Sequence, residues 1–275
     1  MERRIFGNQH FNRWSAEGFL NCMNDCGIRA VELCPYASWL DIADQEDIFR
    51  FRKILDMADI SAEVLMIEQG GVVPFNLALE LKDVESWSLN YAEKVLHNMP
   101  ALGAEKLVLS AGRQSLDHKR EDGWKRSLRN IHRIGRLAQE DGVQLLLCSD
   151  GTDHFSNIVR TTDELIQMLQ EIDLPNVKAY ADLVSIMAAG ENFEKSIQNL
   201  YTKGLLGHVC ISDGPAGWLL PGEGTIGADG VKNARLVVQK IGYEGTITYR
   251  LQHWKYDFSP DQATQKLNDF WNGVF

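Results

Sequence analysis

The chain has 275 residues, 44% of them hydrophobic, and 28 Lys+Arg against 38 Asp+Glu give a formal charge of -10. Such an acidic surface repels phosphate backbones and anionic lipid, which argues against nucleic acid and membrane as partners. No stretch approaches the roughly 18 apolar residues of a membrane helix, and Met1-Glu2-Arg3-Arg4-Ile5-Phe6 lacks the apolar run of a secretory signal, so a cytoplasmic protein is expected.

Short β-type runs recur at 3–7, 28–34, 60–66, 104–110, 143–149, 176–182, 205–211 and 244–250, with helical patterns between them. In the first of these helices Phe19, Cys22, Met23 and Cys26 share a face, so the two cysteines read as buried thiols. The five cysteines show no paired zinc-type spacing. Segment 122–141 places Trp124, Leu128, Ile131, Ile134 and Leu137 on one stripe, and Gly142 is positioned to stop the helix. Thr161-Thr162-Asp163-Glu164 reads as a capping box, and Ser259-Pro260 as an N-cap followed by a first-turn proline.

Val143-Gln144-Leu145-Leu146-Leu147 is nearly continuous in apolar residues, as in a strand covered on both faces. Alternating strands and helices imply parallel pairing, because each strand returns through a helix. Eight such units close most naturally into a single (β/α)8 TIM barrel domain spanning residues 1–275, an α/β fold. The alternative, an open doubly wound sheet, wants a glycine-rich phosphate turn after its first strand, and Gly7-Asn8-Gln9-His10 is not one.

The aperiodic stretches 67–82, 111–121 and 212–228 all follow strands, and in a barrel such loops gather at the C-terminal mouth where active sites sit. The strand ends then deliver His10, Glu32, Glu68, Arg113, Cys148, Asp182, His208 and Arg250 to that mouth. Asp182 reads either as a catalytic carboxylate or as a cap for the next turn. His208, set among apolar strand residues, reads as a hydrogen-bonded core histidine or as a ligand. A buried guanidinium needs a counter-charge, so Arg250 should pair with Asp182 or with an anionic ligand. Cys148 becomes an acid/base or nucleophile only if Arg250 or Arg113 lowers its pKa, and is otherwise a small buried hydrophobe. Arg113, Lys119 and Arg120 could make the mouth locally basic and suit a phosphate or carboxylate, unless Arg113 pairs with Asp150 or Glu68. Trp218 reads as a lid over a sugar face. The candidate substrate-binding set is His10, Glu68, Arg113, Asp150, Asp213, Trp218, Glu223 and His253.

Several stretches resemble the xylose-isomerase-like barrel superfamily, and within it the fructoselysine 3-epimerase type of sugar epimerase. They are Val73-Pro74-Phe75-Asn76-Leu77, His208-Val209-Cys210-Ile211-Ser212-Asp213-Gly214, Pro221-Gly222-Glu223-Gly224 and Tyr243-Glu244-Gly245. The resemblance implies a divalent cation held by Glu, Asp, His and Glu from the ends of strands 5 to 8, with the two glutamates moving a proton beside a carbonyl. Carried onto this chain, Asp182 and His208 match as remnant ligands, while Cys148 and Arg250 replace the glutamates. A guanidinium has no lone pair for a metal. Arg250 is therefore expected to stand in for the cation, with Mn²⁺, Mg²⁺ or Co²⁺ bound only if Asp150 or Glu68 rebuilds the site.

Three readings follow. The first is a sugar isomerase or epimerase with a modified, metal-free site, the second a non-catalytic barrel binding a carbohydrate or anionic metabolite. The third is a hydrolase or lyase using Asp182 and His208 as its acid/base pair. The expected partner is a small carbohydrate or sugar phosphate, and the resemblance suggests a homodimer or homotetramer.

Overall fold

The computed structural model describes residues 4–34, 39–67, 74–152 and 156–273. Eight strands close into a barrel in sequence order, β1 beside β2 and on to β8, which returns to β1. They are β1 (Arg4–Gly7), β2 (Ala30–Leu33), β3 (Ser61–Met66), β4 (Lys106–Ser110), β5 (Gln144–Cys148), β6 (Val177–Asp182), β7 (Leu206–Cys210) and β8 (Ile247–Tyr249). Every pairing is parallel. This is the (β/α)8 barrel anticipated from the alternation, and each strand lies inside its expected segment.

The long helices α1 (Ala16–Asp25), α2 (Gln45–Ala58), α3 (Lys82–Leu102), α4 (Arg120–Glu140) and α5 (Thr162–Ile172) form the outer layer with α6 (Leu183–Ala188), α7 (Phe193–Thr202) and α8 (Gly227–Lys240). A short α9 (His253–Tyr256) at the mouth precedes α10 (Pro260–Asn272). Thr161 and Glu164 make the reciprocal capping box that starts α5. Ser259, by contrast, makes no side-chain capping bond, and α10 starts on the fixed backbone of Pro260 alone. Among the described residues no helix is long and apolar enough to cross a membrane.

Strand alternation sorts every side chain to one of two cores. Leu145 and Leu147 face outward into the layer shared with the helices. Leu146 faces inward with Ile5, Ala30, Val64, Val108, Tyr180 and Cys210. The same alternation sends Cys148, Asp182 and Arg250 inward at the upper end, and their height there depends on interstrand register.

Candidate active site

The strand ends enclose a cavity of ≈ 50 Å³ at the C-terminal mouth, whose walls include Gln9, Met66, Cys148, Tyr180, Asp182 and Arg250. Asp182 ends β6 and serves as N-cap of α6, its Oδ1 accepting from the Val184 amide at 3.0 Å. Its Oδ2 accepts from Arg250 Nη2 at 2.9 Å and from Trp218 Nε1 at 2.7 Å. The expected Arg250–Asp182 pair is thus present, with side chains only 9% and 3% exposed. Burial raises the Asp182 pKa, and the Arg250 charge opposes that rise. Arg250 also donates through Nη1 to Met66 Sδ at 3.0 Å and lies 4.2 Å from the centre of the Trp218 ring. Its Nε–H is buried without a partner among the described residues.

Trp218 forms part of the cavity wall. Its N–H is held by Asp182, one ring face is covered by the guanidinium, and it is 5% exposed.

Cys148 lines the cavity, and its Sγ donates to the Leu109 carbonyl at 3.4 Å. Burial, reinforced by the Asp150 charge, pushes its pKa up to about 12. The thiol stays protonated at neutral pH, which removes the basis for an activated nucleophile. Asp150 also lines the cavity, but both its oxygens are engaged in shaping the loop after β5. Oδ1 accepts from the amide and hydroxyl of Thr152, and Oδ2 accepts from the Ser156 amide at 2.9 Å.

His208 sits lower in the barrel than the chain order suggested. The register pairs His208 with Tyr180, and it is Cys210 that stands level with Asp182. The imidazole is fully buried, stacks on Tyr180 at 5.3 Å, and exchanges a 2.8 Å hydrogen bond with Thr248 Oγ1. Burial drives its pKa well below the ordinary value, so the ring is neutral. It does not line the cavity; of the two alternatives for His208, the geometry matches the core histidine.

His10 is likewise structural. It belongs to a 3₁₀ turn, Gln9–Phe11, and joins Thr264 Oγ1 of α10 at 2.9 Å, while burial takes its pKa down to about 3. Asp213 is buried beneath the loop that follows β7 and does not face the cavity. Its Oδ2 accepts from the amides of Gly222 and Gly224 at 2.8 and 2.9 Å, and its Oδ1 from those of Gly214 and Gly227 at 2.8 and 3.0 Å. Glu223 accepts from Tyr256 Oη and pairs with Lys255, both at 2.7 Å, and so ties that loop to α9. His253, the first residue of α9, does line the cavity.

Of the basic residues anticipated at the mouth, Arg113, Lys119 and Arg120 are not among the described residues that line the cavity. Arg120 is spent on Glu164 and on the carbonyls of Asn157 and Ile158, and the Arg113 backbone is clamped by the Asn76 amide at 3.1 Å on either side. Among the described residues Arg250 is the only Lys or Arg lining the cavity. Glu68 lies outside the described residues.

Glu32, delivered by the end of β2, anchors a polar network whose partners were not picked out from the sequence. Glu32, fully buried, accepts from Tyr180 Oη at 2.7 Å, from Thr248 Oγ1 at 3.1 Å and from Gln9 Nε2 at 3.4 Å. Burial raises its pKa, with Arg250 opposing. The signal was available in strand periodicity. Tyr180 is two residues before Asp182 and Thr248 two before Arg250, so both share the inward face.

A divalent cation does not fit the residues described. Both Asp182 oxygens are engaged, Cys148 is a neutral thiol, burial holds the Cys210 pKa well above its ordinary value, and Arg250 offers no lone pair. Among the described residues no group of three His, Cys, Asp or Glu side chains could hold a metal ion.

The sequence matches the Xylose isomerase-like TIM barrel family over residues 22–272. No curated protein matches it in sequence. The fold is similar to that of 3-keto-D-glucoside 4-epimerase, YcjR, from E. coli in its apo form, at 14% identity and a TM-score of 0.79, covering 100% of this chain and 99% of that one. An L-ribulose 3-epimerase gives 19% identity and a TM-score of 0.77, covering 100% of this chain and 94% of that one. The IOLI protein, crystallised with a zinc atom, gives 15% and 0.77, covering 99% and 97%. At these identities the likeness is one of fold.

Proposed function

The chain belongs to the Xylose isomerase-like TIM barrel family, and from that premise we propose a sugar isomerase- or epimerase-type protein in which the Arg250 guanidinium takes the place of a divalent cation. The observation that carries this is the buried ion pair of Arg250 with Asp182 across the ends of β8 and β6. In a barrel, function resides in such strand-end constellations. Asp182 holds the guanidinium in place, and its free Nε–H is a fixed donor for a ligand oxygen. A donor preorganised in a dry site stabilises the negative charge that develops on a carbonyl oxygen when a proton leaves the neighbouring carbon.

The test is exchange of a ketose carbon-bound proton for deuterium in D2O, followed by NMR over a panel of ketoses and keto-sugars. Exchange should persist in EDTA and disappear in Arg250→Leu and Asp182→Asn. Loss of exchange in EDTA with recovery on adding Mn²⁺ would overturn the metal-free site.

A binding barrel without turnover is the second reading, and one observation favours it. The carboxylates lining the cavity, Asp150 and Asp182, both have their oxygens engaged, which leaves no unengaged carboxylate among the described lining residues. Ligand binding without deuterium exchange in any ketose of the panel would select that reading.

A further inference from the structure

We infer that the pocket takes an uncharged hydroxy-carbonyl compound and rejects its phosphorylated counterpart; the inference rests on the sugar-type reading above and specifies its substrate class. Two independent features support it.

The first is the place where a phosphate would bind. In barrels of this architecture phosphate is often held by backbone amides of the loop after strand 7 and by a helix N-terminus near it. Here those amides already have an anion. The Asp213 carboxylate collects the N–H groups of Gly222, Gly224 and Gly227, and Gly227 is the first residue of α8. Gly224 is packed so closely that a Cβ there would lie 2.5 Å from Asp213 Oδ1. A phosphate has neither the donors nor the space. The next helix N-terminus along the mouth, that of α6, is capped in the same way by Asp182.

The second is the charge and hydrogen-bonding character of the cavity. Asp150 and Asp182 line it, Glu32 accepts hydrogen bonds from the lining residues Gln9 and Tyr180, and Arg250 is the only guanidinium or ammonium group in the described lining. That guanidinium is already neutralised by Asp182. A phosphate carries about -1.5 to -2 charges at neutral pH and would meet Asp150 and the closed Asp182–Arg250 pair, with no second Lys or Arg in the described lining to offset it. The buried atoms without partners in this lining are instead suited to a neutral ligand. Arg250 and Gln252 both line the cavity, and each carries a buried atom without a partner among the described residues: a donor, Nε–H, that suits a carbonyl or hydroxyl oxygen, and an acceptor, Oε1, that suits a hydroxyl.

Isothermal titration with four probes tests this: dihydroxyacetone, D-fructose and the monophosphate of each. At least one free ketose should bind about tenfold or more tighter than its phosphate, and Gln252→Leu should weaken it by up to about tenfold, the worth of one hydrogen bond. Phosphate binding as tight as or tighter than the free ketose would overturn the inference and leave the sugar-type reading standing. Binding of none of the four would overturn the sugar-type reading, and the inference with it.

Discussion

Arg250 Nη2 and Asp182 Oδ2 meet at 2.9 Å inside the barrel mouth, and the indole N–H of Trp218 closes on the same oxygen at 2.7 Å. One carboxylate oxygen thus fixes a cation and an aromatic wall together, and the guanidinium stacks on that wall. Removing one member of a buried pair strands the other in a dry site, which typically costs about 3–5 kcal/mol. Asp182→Asn and Arg250→Leu are each expected to lose stability of that order in urea unfolding. The double variant should be less destabilised than the sum of the two, because it leaves no unpaired charge. Additive losses would show that the pair is not coupled.

Glu32 gives the protein a pH signature of its own. Burial raises its pKa above the ordinary 4.5, so the folded state holds this proton more tightly than the unfolded chain. The resulting stabilisation is complete below about pH 4.5 and is lost as the pH rises through the folded value. Glu32→Gln cannot titrate and should flatten the decline of stability as the pH rises above about 4.5, read from urea midpoints. A parallel decline in wild type and variant would rule Glu32 out as its source.

Thiol chemistry should separate the cysteines by environment. The Cys148 pKa is pushed up to about 12, whereas Cys26, half-buried at the end of α1, is lowered by a hydrogen bond from the Cys22 thiol. Iodoacetamide at pH 8 is expected to modify Cys26 first and to spare Cys148, as followed by peptide mass spectrometry. Early labelling of Cys148 would contradict the buried, neutral thiol described above.

Asp213 is a structural latch. Replacing it by Ala leaves four amides of the loop after β7 without their acceptor. A loss of at least about 3 kcal/mol is expected, since each buried donor left unpaired costs roughly 1–3 kcal/mol. Limited proteolysis should open new cleavage sites between residues 213 and 227 in Asp213→Ala, while wild type resists. Unchanged stability and unchanged cleavage would show that Asp213 is free for another role.

Much of the barrel was legible in the chain because its cause is local. The run Leu145-Leu146-Leu147 must be covered on both faces, so it marks a buried parallel strand before any partner is known. The capping box at Thr161 and Glu164 is set by four consecutive residues, and it formed as written. Strand ends such as Cys148, Asp182 and Arg250 could be picked out in the same way, because alternation assigns them to the inward face.

Height within the barrel was not legible, because it is a relation between strands. The ladder between β6 and β7 shifts between Ala179 and Tyr180, and that shift brings Cys210 level with Asp182 and sends His208 one layer down to Thr248. The periodicity of a single strand says which way a side chain points and nothing about what stands opposite it. Engagement was equally hidden. Asp150, Asp182 and Asp213 are the same residue type near strand ends, yet one shapes a loop, one holds a guanidinium and one latches the turn before α8. The sequence by itself determined the elements, the inward faces and the presence of a buried cation in need of a partner. Only the tertiary structure decided which carboxylate meets that cation, because a carboxylate is satisfied by whichever donors the closed barrel brings within 3 Å of it.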